Sequence, residues 1–180
     1  LDAPGGACSF TSIAGQLGYN STSTDIAYFH SAEQLYQKGK EDIKHAVEGL
    51  SEVKEKYNWS YFNTIDDLEQ HRSSALDDCV KHMRDNPQLY IPSILPELPF
   101  EDNQFDMILS AHFLFMYADR LDLGFHRKTL EEMIRVSRKE IRIFPLIDLT
   151  GNRYEYLQEI FKFVTELGWK TEERMVSYEF

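Results

Sequence analysis

The sequence predicts an α/β protein built on a doubly wound, mostly parallel sheet. Three observations carry this. Short apolar or β-branched runs alternate with amphipathic helical stretches along most of the chain, the pattern of strands joined by crossover helices. The run FDMILSAHFLF is nearly continuous in its apolar character, as expected for a central parallel strand covered on both sides. A Pro-Gly-Gly turn stands between a strand end and a helix at the very start of the chain.

Each element follows in order. Leu1 reads as the end of a strand and PGGA as the turn after it. From Ser9, the apolar residues Phe10, Ile13, Ala14 and Leu17 recur at helical spacing and predict a helix, with Gly18 as the stop. The stretch STSTDIAYF is β-branched and predicts a short strand ending near Asp25. A helical insert at about residues 28–88 follows, between the second and third strands. Ser31 and Gln34 form a capping box. Gly39 is expected to interrupt the helix that starts there, and Ile43, Val47, Leu50, Val53 and Tyr57 make one stripe. Residues 58–63 are an aromatic-rich link. Thr64 caps a second long helix, with Asp66 and Asp67 favoured in its first turn by the helix dipole. Its stripe is Leu68, Leu76, Val80 and Met83, and Asn86-Pro87 ends it.

The short units then return. LYIPSIL is a weak strand, ELPFEDNQ a polar turn, and FDMILSAHFLF the central strand. Residues 125–137 are helical, and KEIRIFPL is a strand. Residues 152–167 form a helix with Tyr154, Leu157, Phe161 and Val164 inward, closed by Gly168. Residues 169–180 are expected to form a last strand, with Val176, Tyr178 and Phe180 alternating.

The 180 residues suit a single domain, and 42% of them are apolar, enough for a core. The net charge of −11, without a block of Lys or Arg, disfavours nucleic acid and anionic membrane surfaces as partners. Cys8 and Cys79 belong to no Cys-x-x-Cys pair and no Cys/His cluster, so no structural metal is expected. Two thiols read as buried, with no signal-peptide pattern, predict a cytoplasmic location. No apolar run is long enough for a bilayer span.

In an open α/β sheet, ligands bind outside the carboxyl ends of the strands. Three strand ends stand out: Asp2-Ala3-Pro4-Gly5-Gly6, Asp25-Ile26 and Ser110-Ala111-His112. Glycines admit a close ligand, and an acid ending the next strand can take hydrogen bonds from ribose hydroxyls. Gly5 and Asp25 lie 20 positions apart. His112 reads either as a functional group or as a satisfied core histidine. Tyr117, Asp119, Asp122 and His126 read as a polar loop and helix cap rather than as metal ligands.

DAPGGACSF resembles motif I of the class I S-adenosylmethionine-dependent methyltransferases. LPFEDNQFDMILSAHFLF is similar to the segment around the fourth strand in their small-molecule, type 11-like branch. The resemblance covers residues 1–25 and 89–180 and implies a Rossmann-like sheet with helices on both faces. It implies Asp2 near the methionine amino group, and Ala3, Pro4, Gly5 and Gly6 along the cofactor wall. It further implies Asp25 on the ribose, Ile26 and Leu95 at the adenine, and Ser110 and Ala111 on the floor. Pro4 stands where the motif has its first glycine, and Ile94 where the family often has an Asp. His112 is the first candidate for base or substrate orienter and Tyr117 the second. The implied reaction is methyl transfer to a small molecule. Alternatives are an NAD(P)-dependent oxidoreductase, for which the third glycine falls on Ser9, and a non-catalytic binding module. The helical pair is placed as a cap over the site or as a contact for a second copy. A central strand ending at Asp2 needs residues before Leu1, so the sequence is expected to be part of a longer protein.

Overall fold

The computed structural model describes residues 1–53, 55, 59 and 61–176, the side chains of 51–53 excepted. Among the described residues the chain is a mixed α/β structure of five α-helices and two short parallel ladders. Helix α1 (Phe10–Gln16) leads to β1 (Ser23–Asp25) and a tight turn of 3-10 helix (Ile26–Phe29). Helices α2 (Ala32–Val53) and α3 (Ile65–Asp85) then pack on each other before β2 (Tyr90–Pro92). β3 (Phe105–Ala111), α4 (Leu123–Val136), β4 (Ser137–Phe144) and α5 (Leu157–Glu166) complete the order.

β1 pairs with β2, Ser23 opposite Tyr90 and Asp25 opposite Pro92. β3 pairs with β4, with Ala111 opposite Phe144 at their carboxyl ends. Residues 1–3 lie between the two ladders. Asp2 bridges Ser23 on one side and Leu109 on the other, both in parallel sense. The Asp2 N–H donates to the Thr22 carbonyl and the Ala3 N–H to the Leu109 carbonyl, each at 2.9 Å. The carboxyl ends of β1, β2 and β3 and the Pro-Gly-Gly turn therefore share one edge of the structure.

Side chains alternate across a strand, and residues 1–3 show the consequence. Leu1 and Ala3 join Ile108, Leu98, Met133 and Val136 in an apolar cluster beneath α4. Asp2 turns to the opposite side, toward Cys8, Gly5 and Ser23. There Tyr28, Leu35, Cys79, Met83 and Tyr90 form a second cluster with α2 and α3. A third joins Leu114, Phe115, Leu130, Tyr154, Leu157 and Ile160.

The caps form as expected. The Ser31 N–H donates to Gln34 Oε1 and the Gln34 N–H to Ser31 Oγ, while the Asp67 N–H donates to Thr64 Oγ1. Of the apolar residues at helical spacing in α1 and its cap, Ala14 is buried, while Phe10, Ile13 and Leu17 are exposed and Thr11 and Ser12 are buried in their place. Other expectations are corrected. Gly39 does not break α2; a Cβ there would lie 2.7 Å from Leu76 Cδ1, so glycine lets α3 approach. β3 stops at Ala111, because His112 turns into the left-handed region at φ 55°. The last helix starts at Leu157 rather than near residue 152. Residues 169–176 form no strand, and Met175 is 93% exposed; residues 177–180 lie outside those described. Tyr57 is also outside them, as is the Val53 side chain. Cys79 is buried, whereas Cys8 is exposed. Among the described residues no helix is long and apolar enough to cross a membrane.

Candidate functional site

A cleft of about 560 Å³ opens along the carboxyl ends of the strands. Pro4 comes from the turn after residues 1–3, and Thr24, Asp25 and Ile26 from the end of β1. Ser93, Ile94 and Leu95 follow β2, and Phe113, Tyr117, Arg120, Leu121 and Phe125 follow β3. Open α/β sheets bind ligands at this edge because the strands' ends and the loops after them face solvent there together.

Asp25 is the acid of this cleft. Its Oδ2 accepts the Gly6 N–H and its Oδ1 the Ala27 N–H, both at 2.8 Å. These bonds fix the carboxylate while leaving each oxygen a second lone pair. Ile26 and Ile94, 59% and 58% exposed, flank the mouth with apolar surface that water would otherwise cover. The Thr24 hydroxyl donates to the Ile91 carbonyl and lies 2.7 Å from Ser93 Oγ, tying the ends of β1 and β2 together.

The glycine turn beside Asp25 is held from beneath. The Tyr28 hydroxyl donates to the Gly6 carbonyl at 2.8 Å and lies 2.7 Å from Ser23 Oγ. A Cβ on Gly5 would fall 1.7 Å from that same Oγ, so the position admits only glycine without rearrangement. Gly6 is at φ +55° with nothing within 4 Å of where its Cβ would stand. The turn thus presents bare backbone to open space. Asp2, 5% exposed, sits under it and accepts a hydrogen bond from the Cys8 thiol. Burial, reinforced by the nearby Asp25 charge, pushes the Asp2 carboxyl up to about 6.

Of the residues singled out from the sequence, Pro4, Asp25, Ile26, Leu95 and Tyr117 line the cleft, and Gly6 is joined to it through Asp25. Ala3 is fully buried in the cluster beneath α4. Ser110 is buried at the end of β3 with no hydrogen-bond partner for its Oγ, and Ala111 is exposed. His112 is exposed, packed edge-on against Phe144, with its N–H donating to the Phe144 carbonyl at 2.6 Å. Partial burial, then the positive charge of Arg72 on α3, lowers its pKa. No described residue of α2 or α3 lines the cleft. Thr24, Ser93, Phe113, Arg120, Leu121 and Phe125 were not singled out. Thr24 adjoins Asp25 and was within reach of sequence reading, whereas the others depend on how the loops after β2 and β3 fold back.

Aligned over the whole chain, the protein is 32% identical, across 181 positions, to the uncharacterized protein MJ0045 of Methanocaldococcus jannaschii, covering 79% of that protein. The chain belongs to the MJ0045 family. No family model matches it, and no solved structure does.

In this MJ0045-family member a second cavity, of about 840 Å³, lies between the loops after β3 and β4 and shares Leu121 with the cleft. Asp122, on its wall, caps α4 by accepting the Phe125 N–H at 2.7 Å, the role expected for this loop. Asp148 Oδ1 accepts from the Thr150 N–H, the Thr150 hydroxyl and the Asn152 N–H. These bonds hold the Asp148 carboxyl below its usual range. His126, fully buried, pairs its Nδ1 with the Tyr154 hydroxyl at 2.6 Å.

Proposed function

We propose that the protein is an S-adenosylmethionine-dependent methyltransferase acting on a small molecule. The observation that carries this reading is the Asp25 carboxylate, held by the Gly6 and Ala27 N–H groups at the strand-end cleft. Its spare lone pairs match a pair of ribose hydroxyls. The exposed faces of Ile26 and Ile94, with Leu95 beside them, suit an adenine ring between β1 and β2. The bare backbone at Gly6 leaves room for the chain that joins ribose to sulfur. The ladders also fit a Rossmann-like sheet: read as β2, β1, residues 1–3, β3 and β4, the order reverses between residues 1–3 and β3, beside the cleft.

When bound, S-adenosylmethionine supplies an electrophilic methyl group, and the protein's task is alignment and proton handling. His112 stands at the reversal point. Partial burial and the Arg72 charge lower its pKa and so favour the neutral imidazole, the form that can accept a proton from an acceptor O–H or N–H. Tyr117 stands on the cleft wall with the Arg120 guanidinium 5.1 Å from its ring centre, on the side where the acceptor meets the cofactor. Asp2 acts from beneath the turn and reaches no ligand directly. Calorimetry with S-adenosylmethionine, S-adenosylhomocysteine and NAD tests the reading. Both sulfur ligands should bind, NAD should not, and Asp25→Ala should weaken binding by about tenfold or more, the loss of a charge-assisted hydrogen-bond pair. No binding of either sulfur ligand at about millimolar concentration, the weak end of ligand recognition, defeats it.

A further inference from the structure

We propose that the 840 Å³ cavity between the loops after β3 and β4 binds the acceptor, and that the acceptor is an organic cation held through its ammonium group. Naming the ligand an acceptor rests on the methyl-transfer reading; its charge rests on the cavity alone. Two tyrosines line it, Tyr154 buried and Tyr156 exposed. Tyr154 is stacked on Phe115 at 4.7 Å and fixed by its bond to His126. Tyr156 meets Tyr154 edge-on, their centres 5.8 Å apart. Aromatic faces attract ammonium groups through the ring quadrupole.

Negative charge predominates around these rings. Asp119, Asp122, Asp148 and Glu155 line the cavity against a single guanidinium, Arg153. That guanidinium is taken by Glu173, which accepts both of its terminal nitrogens. Asp119 pairs with Arg120 at 3.2 Å, and the negative charge in excess of that pair would repel a carboxylate or phosphate ligand, whereas an ammonium meets it favourably. Met116, Leu123 and Leu149 add apolar wall, so the ligand carries a hydrocarbon body as well as the charge. Leu121, common to both cavities, sets this body beside the strand-end cleft.

An NMR titration decides the matter with three probes of one carbon skeleton: 3-phenylpropylammonium, 3-phenylpropan-1-ol and 3-phenylpropanoate. The ammonium alone should shift amide resonances of residues 116–123 and 148–156. The pair Asp119→Asn with Glu155→Gln, checked for an unchanged thermal midpoint, should weaken it by about fivefold or more, as expected when close charges leave a cation site. Equal binding of the alcohol or the carboxylate, or undiminished binding in the double variant, overturns the proposal. S-adenosylhomocysteine titrated in parallel separates the two readings. Ammonium binding without it keeps the cation site and removes methyl transfer; binding of S-adenosylhomocysteine without charge selection does the reverse.

Discussion

The two sides of residues 1–3 are built from opposite materials. On one, Leu1 and Ala3 meet Ile108, Met133 and Val136, all buried and all apolar. On the other, Asp2, Ser23 and the Tyr28 hydroxyl crowd around Gly5 and hold the turn that faces the cleft. Dispersion and water exclusion secure the first side and are indifferent to small shifts in direction. Hydrogen bonds secure the second and fix where each backbone group points. The α4 side is thus held by apolar burial, whereas the other side adds to its own apolar cluster the polar contacts that fix the turn.

The largest expected effect attacks the dry side. Met133 is fully buried between α4 and the strands. Met133→Ala removes several buried carbons and leaves a void, at a cost of about 2–5 kcal/mol in urea unfolding. If the division and the methyl-transfer reading both hold, S-adenosylhomocysteine affinity of the folded variant stays unchanged. A variant that keeps its stability but loses the ligand would reverse the assignment of the two sides.

Next in size is the charge under the turn. The Asp2 carboxyl is raised from an ordinary 3.8 to about 6, chiefly by burial. The folded chain therefore binds that proton more tightly than the unfolded chain. The resulting stability is fully present below about pH 4 and is lost as pH rises through about 6. Asp2→Asn keeps the shape and abolishes the ionisation. It should be more stable than the parent by about 3 kcal/mol above pH 7, the difference vanishing below about pH 4. A variant less stable than the parent at pH 7.5 would mean that the turn needs the negative charge.

Much of this layout is legible in the sequence. The capping pairs at Ser31 and Gln34 and at Thr64, and the cap at Asp122, were readable because a cap is a local pattern of a few residues. Asp25 and Ile26 were readable because strand ends beside a glycine turn carry a known geometry. The second cavity was not: its rings and carboxylates come from two loops some thirty residues apart, and no local pattern joins them. The stretch at 169–176 had alternation, but alternation predicts a strand only where a neighbour completes the ladder, and there the described chain forms none.

Helix α1 is where periodicity says least about burial, and it carries the smallest expected effect. Its seven residues sit against the side of the turn, where Thr11, Ser12 and Ala14 pack close because they are small. Thr11 Oγ1 reaches Ser21 Oγ at 3.2 Å, a contact that a bulkier stripe would prevent. Phe10, Ile13 and Leu17 consequently face outward, with Leu17 69% exposed. Leu17→Ser should shift the urea midpoint by no more than about 0.5 kcal/mol of stability, as for other surface positions. The same change at Leu130, 3% exposed on α4, should cost several times as much. A loss at Leu17 of more than about 2 kcal/mol, the scale of a buried leucine, would mean that the outer stripe of α1 is covered in solution. The contrast between the two helices would then lie in what packs on them rather than in which way they face.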